Sequence, residues 1–341
     1  MMKEIRIGII GSGFMGRTNA ETITGYLPGA RLVAVAGGSR AAQLAADYQV
    51  KAEPNVSALI QRPDIDAVFI STPHSQHAAQ AIKAAESGKH ILLDKPMAVT
   101  VAECDGILEA VRRANVKLML MFGQRFRLVN REAHRLIREG VIGRISAIQS
   151  FSLNSGGLAA LPPWQSLPEN LGSLIGHGVH NIDLIRWLTG QEIETVSARN
   201  QRDELSGNEV STMAVFGLSE GAMTTLWVSW AIPPPGFPRS TFSARVVGEK
   251  GLLDLDAYGR LRLGCDGEWR VVAEQAPIDF KGKGMLDSVR LESYAAQGRE
   301  FLASIREDRQ PEITGEDGRA AVRIALAASQ SSEENRTIHL E

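Results

Sequence analysis

Ile5-Arg6-Ile7-Gly8-Ile9-Ile10 runs straight into Gly11-Ser12-Gly13-Phe14-Met15-Gly16. A largely apolar strand that ends in three glycines at this spacing and then opens a helix leaves the chain few folds to choose from. The first glycine permits a tight turn, the second lets a ligand approach the backbone, and the third lets strand and helix pack closely. The helix amino terminus then presents free N–H groups and the positive end of its dipole to an anion. Such a strand is buried on both sides, so helices must cover both faces of the sheet it joins.

The pattern repeats through the first third of the chain. Apolar runs at residues 31–36, 67–70, 90–93 and 117–121 alternate with helical periodicity at 41–48, 75–87 and 101–114. Strands alternating with helices mean crossover units and a doubly wound parallel sheet. After Phe122 the grammar changes. One helical pattern at 130–139 is followed by half-exposed alternation at 144–151, 195–200, 211–216, 222–230 and 241–247, and helical patterns return at 288–306 and 317–329. Strands in succession joined by Gly and Pro turns predict an open antiparallel sheet covered by helices on one face. We therefore expect a dinucleotide-binding domain of the Rossmann type over 1–122. An antiparallel-sheet domain over 123–341 would take the substrate and the subunit contacts.

Composition narrows the partners. With 341 residues, 44% of them hydrophobic, there is material for two cores, and a net charge of -2 gives no electrostatic reason to expect nucleic acid or an anionic membrane. An aromatic content of 6% also argues against a base-stacking surface. No apolar run approaches the ~18 residues of a spanning helix. The two cysteines, Cys104 and Cys265, lack metal-ligand spacing and suit a reducing, cytoplasmic setting. No metal is expected.

A dinucleotide site that takes NAD usually carries an acid about 20 residues past the glycines, bonded to the ribose 2′-hydroxyl. Here the second strand runs out into Gly37-Gly38-Ser39-Arg40. Gly37 removes the charge that would repel a 2′-phosphate, Ser39 offers a hydroxyl, and Arg40 a forked cation. We expect NADP(H) to be preferred, with NAD(H) possible.

Taken together with Ser71-Thr72-Pro73-His74, Gly88-Lys89-His90, Asp94-Lys95-Pro96, Gln124-Arg125-Phe126 and Gly178-Val179-His180-Asn181-Ile182-Asp183, the sequence resembles the Gfo/Idh/MocA oxidoreductase family. These are the relatives of glucose-fructose oxidoreductase and inositol 2-dehydrogenase. The resemblance spans nearly the whole chain and implies the same two-domain plan. It also implies that Lys95 is the catalytic lysine, with Asp94 in place of the usual Glu, and that a cis peptide bond precedes Pro96. Ser71, Thr72 and His74 fall on the loop that passes the cofactor, and His180 holds the acid/base position. Where the family often has an Asp, three residues earlier, this chain has His177.

Oxidising a carbinol needs a hydride acceptor, a base for the hydroxyl proton, and a cation for the developing alkoxide. His180 suits the second task and Lys95 the third, with His177 as a candidate relay. His177 and His180 share a helical face with Asp183, a further candidate contact to substrate, as is Trp164 in Leu161-Pro162-Pro163-Trp164. Residues 153–171 would set the substrate, and their lack of arginines speaks against a phosphorylated one. Trp187 is expected in the core, and His77, His90, His134 and His339 in structural or surface roles, His77 with access to the cofactor loop. The reading is a dehydrogenase acting on a sugar, cyclitol or related polyol. Its rivals are an NAD-dependent glycosidase that oxidises its sugar transiently, told apart by net consumption of nicotinamide, and a non-catalytic NAD(P) sensor, which would not need both Lys95 and His180. Trp227, Val228 and Trp230 would leave apolar area on the open sheet face, so a homodimer or a dimer of dimers is expected.

Overall fold

The computed structural model describes residues 4–155, 161–170, 172–204, 207–279 and 282–340. The chain divides into two compact units, Met1–Gly123 with Ile278–Arg319, and Gln124–Pro277 with Ala320–Glu341.

The first unit is built on six strands: β1 (Ile5–Ile10), β2 (Ala30–Ala36), β3 (Lys51–Ala52), β4 (Ala67–Ile70), β5 (His90–Leu93) and β6 (Leu118–Leu120). They pair in parallel in the order β3-β2-β1-β4-β5-β6. Between them run α1 (Phe14–Tyr26), α2 (Ala41–Asp47), α3 (Val56–Ile60), α4 (His77–Glu86) and α5 (Val101–Ala114). Ile7, Ile9, Ile10 and Ile70 are wholly buried, which is why these strands read as continuous apolar runs. The strand order reverses direction between β1 and β4, so their carboxyl ends frame the place where such sheets bind ligands.

The second unit holds α6 (Leu128–Arg138) and α7 (Val179–Thr189) and a nine-stranded sheet. Its strands are β7 (Ile145–Ser155), β8 (Ile193–Arg202), β9 (Glu209–Leu218), β10 (Met223–Ile232), β11 (Phe242–Gly248), β12 (Leu252–Asp256), β13 (Arg260–Cys265), β14 (Glu268–Glu274) and β15 (Ile338–His339). The order is β14-β13-β12-β11-β7-β10-β9-β8-β15. The sheet is not wholly antiparallel as expected, because β7 and β10 run parallel at its centre. Alternating hydrophobicity reports which side a strand buries, not which way it runs. The β12–β14 meander was not anticipated either.

Two further expectations need correction. Residues 278–319 belong with the first unit, not with the second domain. The helix α8 (Ser288–Arg306) sets Phe301 edge-on to Phe69 at 5.8 Å, and Arg306 Nη2 donates to the Gly29 carbonyl at 2.8 Å. A side chain on Gly298 would collide with Leu27, so the close approach of α8 depends on glycine there. The last helix, α9 (Gly315–Glu334), spans the boundary. Nor are Val228 and Trp230 exposed. They are 0% and 2% accessible and face inward, while Trp227, the residue before Val228, points the other way. That outer face instead carries Met213, paired with Trp227, and Val215, paired with Thr225, both at least half exposed. Among the described residues no helix is long and apolar enough to cross a membrane.

Candidate active site

Chemistry-bearing side chains gather at one place in each unit. In the first, the glycine loop closes against the end of β4. A Cβ on Gly11 would run into the Ser71 carbonyl, and one on Gly16 into the Gly11 carbonyl. On Gly13 it would meet only the Arg40 guanidinium, 3.9 Å away. Backbone is therefore packed against backbone on both sides of a position that opens outward. Gly13 caps α1 without any side-chain hydrogen bond, and no acid stands in the first turn, where half-buried Met15 follows exposed Phe14. Free N–H groups at an acid-free helix start fit a pyrophosphate.

Around this cradle the expected cofactor residues come together. Ser12 Oγ accepts the Arg40 N–H at 3.2 Å, joining the loop to the end of β2, where Ser39 and Arg40 are exposed. Ser71 Oγ accepts from Asn19 Nδ2 at 2.9 Å, and the Thr72 hydroxyl donates to Gln80 at 2.7 Å. His74 is buried on the single 3-10 turn His74–Gln76, its ring 6.0 Å from that of His77.

Asp94 and Lys95 follow β5 directly. The Lys95 N–H donates to Asp94 Oδ1 at 2.9 Å, and the Lys95–Pro96 bond is cis, as the resemblance implies. Burial pulls the Lys95 ammonium below the usual lysine range, opposed by the Asp94 charge, and pushes the Asp94 carboxyl up. Downstream, Thr100 and Glu103 form a reciprocal capping box that starts α5 and takes the Val99 N–H as well. The turn bearing Lys95 is thus held between a strand end and a well-capped helix. His77, expected only to approach the cofactor loop, does more. Its Nδ1 lies 2.7 Å from the Pro96 carbonyl and its Nε2 2.9 Å from the Thr72 carbonyl, so the ring sits between the lysine turn and that loop and, when neutral, donates to one of the two.

In the second unit, the turn Leu174–Gly178 is a π-helix leading into α7. Its start is anchored by Glu209, whose carboxylate accepts the Ser173 hydroxyl at 2.5 Å and the Leu174 N–H at 2.7 Å. Burial pushes the Glu209 carboxyl upward. His177 lies in this widened turn and His180 one residue into α7, both half-buried. Trp230 Nε1 lies 2.6 Å and Asn154 Nδ2 2.8 Å from His177 Nδ1. An indole N–H can only donate, so His177 Nδ1 is an acceptor and its proton sits on Nε2. In this state His177 presents an acceptor at Nδ1 and a donor at Nε2. Phe242 meets both rings edge-on, His180 at 5.5 Å and His177 at 6.2 Å.

Asp183 does not join them. It is 0% exposed and held by Arg125 in a bidentate pair, Nε to Oδ2 at 2.9 Å and Nη2 to Oδ1 at 2.5 Å. Its carboxylate is engaged by Arg125 within the unit, which speaks for a structural role over the expected contact to substrate. Trp164 sits half-buried on the turn Pro163–Ser166, and its carbonyl accepts from Asn170 at 2.9 Å. Of the segment expected to set the substrate, residues 156–160 and 171 lie outside the described residues. Trp187 is half-buried, stacked on His134 at 4.0 Å. Sequence reasoning missed Trp230, Asn154 and Phe242 as neighbours of this site, because sheet register brings them there, and it missed the partner of Asp183, Arg125, which comes from the turn Gly123–Phe126.

The model of an oxidoreductase family with an NAD-binding Rossmann fold matches residues 5–122, and the Gfo/Idh/MocA C-terminal domain matches residues 130–254. The chain belongs to the Gfo/Idh/MocA oxidoreductase family. It is 26% identical to scyllo-inositol 2-dehydrogenase (NAD(+)) of Bacillus subtilis, over 100% of this chain and 98% of that protein. It is also 26% identical to myo-inositol 2-dehydrogenase of Thermotoga maritima, over 99% of each. Its fold matches an aldose-aldose oxidoreductase from Caulobacter crescentus solved with glycerol, at a TM-score of 0.85 and 23% identity, covering 99% of this chain and 100% of the other.

Proposed function

We propose that this Gfo/Idh/MocA member is a dehydrogenase that moves a hydride between a carbinol carbon of a cyclitol, sugar or related polyol and a bound nicotinamide dinucleotide. The observation that carries the reading is Lys95, seated after β5 in the same unit as an open, acid-free glycine cradle, with its ammonium made easier to deprotonate by burial. Lys95 holds the carbinol oxygen and stabilises it as negative charge develops. His180 takes the hydroxyl proton, and His177, fixed with its proton on Nε2, is the relay partner one turn away. Gly11, Ser12, Gly13, Phe14, Met15 and Gly16 bind the pyrophosphate side. Ser71, Thr72, His74 and Asp94 line the cofactor loop, and Trp164 is a substrate contact.

The finer cofactor reading is a preference for NADP(H) over NAD(H). It rests on Gly37 where an acid would repel a 2′-phosphate, and on the Arg40 guanidinium beside Gly13. Both curated relatives named above bear names of cyclitol dehydrogenases, and one name specifies NAD(+), which makes the cofactor titration the decisive experiment. NADPH and NADH are titrated by fluorescence into the wild-type chain and Arg40→Ala, followed by a polyol and cyclitol screen for cofactor reduction. Tighter NADPH binding that Arg40→Ala abolishes upholds the preference, and equal or tighter NADH binding removes it. Reduction with no member of the screen overturns the dehydrogenase reading. The apolar outer face around Met213, Val215 and Trp227 supports self-association as a dimer or tetramer, which sedimentation at micromolar concentration tests.

A further inference from the structure

Arg127, the residue before α6, is 3% exposed, and its Nε and Nη1 are buried with no hydrogen-bond partner among the described residues. Two residues earlier the equally buried Arg125 is matched by Asp183, so the local fold can provide a carboxylate and does not provide one here. What Arg127 has instead is an aromatic face, its guanidinium carbon 4.4 Å from the Tyr258 ring centroid. A guanidinium is a permanent cation, and taking one out of water without an anion costs more than a cation–π contact returns. Buried unsatisfied groups of this kind mark places where an ion or ligand completes the bonding.

The surroundings say what completes it. Gln124 Nε2 reaches the Tyr258 hydroxyl at 3.4 Å, and Asn130 Nδ2 donates to the Gln124 carbonyl at 2.7 Å. Asn130 Oδ1 is left buried and, among the described residues, unpartnered, an acceptor in the same cluster as the unmatched cation. Tyr258 lies 6.3 Å from Phe242, the ring that His180 and His177 meet edge-on. Arg127 therefore stands at the end of an aromatic row whose other end is the proton-accepting histidine.

We infer that Arg127 receives a carboxylate of the substrate, so that the molecule oxidised is a polyhydroxy acid whose anionic end is remote from the reacting carbinol. One guanidinium balances one negative charge and matches the two oxygens of a carboxylate with its planar fork. The sugar hydroxyls of the same molecule supply the donors that Asn130 Oδ1 lacks. Residues 153–171 hold no lysine or arginine, and the cation stands at the start of α6. This inference rests on the dehydrogenase reading for the role of His180 and deepens it to a substrate class.

The test uses matched pairs of acid and neutral polyol: D-glucuronate with D-glucose, D-galacturonate with D-galactose, and D-gluconate with sorbitol. Thermal protection of the wild type and of Arg127→Met is measured with each, at constant ionic strength, and with sodium chloride alone. In the wild type at least one acid is expected to protect more than its neutral partner, and in Arg127→Met that excess disappears. In turnover, the acid-to-neutral ratio of kcat/KM is expected to fall about a hundredfold in the variant. Without ligand, Arg127→Met is expected to be no less stable than the wild type, since it removes a buried unmatched charge. A drop in its stability would mean a structural role and overturn the proposal. Protection by chloride alone with the same dependence on Arg127 would mean a halide site and overturn it as well, as would an absence of any acid preference. Acid-selective binding through Arg127 with no cofactor reduction would sink the dehydrogenase reading and leave this one standing. Turnover of neutral polyols without acid preference would do the reverse.

Discussion

The two groups of functional side chains are assembled in opposite ways. In the first unit the cradle, Lys95 and the cofactor loop all follow strand ends of successive crossover units, and short bonds between neighbouring loops hold them: Ser12 to Arg40, Asn19 to Ser71, His77 to Thr72 and Pro96. In the second unit a single histidine depends on residues from three places far apart in the chain, Asn154 on β7, Trp230 on β10 and Phe242 on β11. The first arrangement follows from local turn geometry and tolerates change elsewhere in the sheet. The second depends on register, since slipping β10 by one residue would send Trp230 to the outer face and bring Trp227 in.

The largest effect expected is on the first group. Lys95→Met removes the only charge proposed to bind the carbinol oxygen, and turnover should fall about a thousandfold while dinucleotide affinity falls far less. Stopped-flow turnover beside cofactor titration checks this. Retained turnover would mean that the crossover unit binds cofactor and that the histidine group alone does the chemistry.

Next comes the buried pair of Arg125 and Asp183. Asp183→Asn strands a buried Arg125 charge and should cost about 3 to 5 kcal/mol in denaturant unfolding. The double change Arg125→Met with Asp183→Leu should recover most of that loss, because two apolar side chains need no partner. Failure of the double variant to recover would show that the pair positions α7 as well as neutralising itself. A smaller loss belongs to Trp230→Phe, which removes one donor from His177 Nδ1 and should cost about 1 kcal/mol. Nitrogen NMR of the His177 ring should then show proton occupancy shared between Nδ1 and Nε2, where the wild type holds it on Nε2. An unchanged tautomer would mean that Asn154 suffices, and the register argument would weaken accordingly.

The same contrast explains what could be read in the sequence. The parallel sheet, the helices at 101–114 and 288–306 and the residues of the cradle were legible because Gly11 to Gly16 and the apolar runs report local geometry. The place of α8 was not legible, since helical periodicity says that a face is buried and not which sheet buries it. The partner of Asp183 is not legible for a related reason. Its spacing from His180 puts both on one side of a helix, but the group it pairs with, Arg125, lies more than fifty residues away. Arg127 gave no signal at all, because a buried arginine and a surface arginine look alike in sequence.

The smallest effect tests the first group at its own joint. His77 is buried between two carbonyl oxygens, and burial lowers its pKa, with the Pro96 and Thr72 carbonyls and the Asp94 charge opposing and Lys95 reinforcing the shift. A lowered pKa means that the folded chain takes up this proton less readily than the unfolded chain, whose imidazole titrates at about 6.5. Where the unfolded state binds more protons, stability rises with pH. Stability should accordingly be complete above about pH 7 and decline as the pH falls through 6.5, with a slope approaching about 1.4 kcal/mol per pH unit from this one ring. Asp94, whose carboxyl is raised by burial, works in the opposite sense, losing stability as the pH rises through its own range. His77→Gln keeps one donor for a carbonyl but cannot take up the proton. Denaturant unfolding between pH 5 and 7.5 should show the wild-type slope reduced by one proton in the variant. An unchanged slope would mean that the ring is already charged in the folded chain, donating to both carbonyls at once, and that the lysine turn is tied to the cofactor loop by an imidazolium instead of a neutral ring.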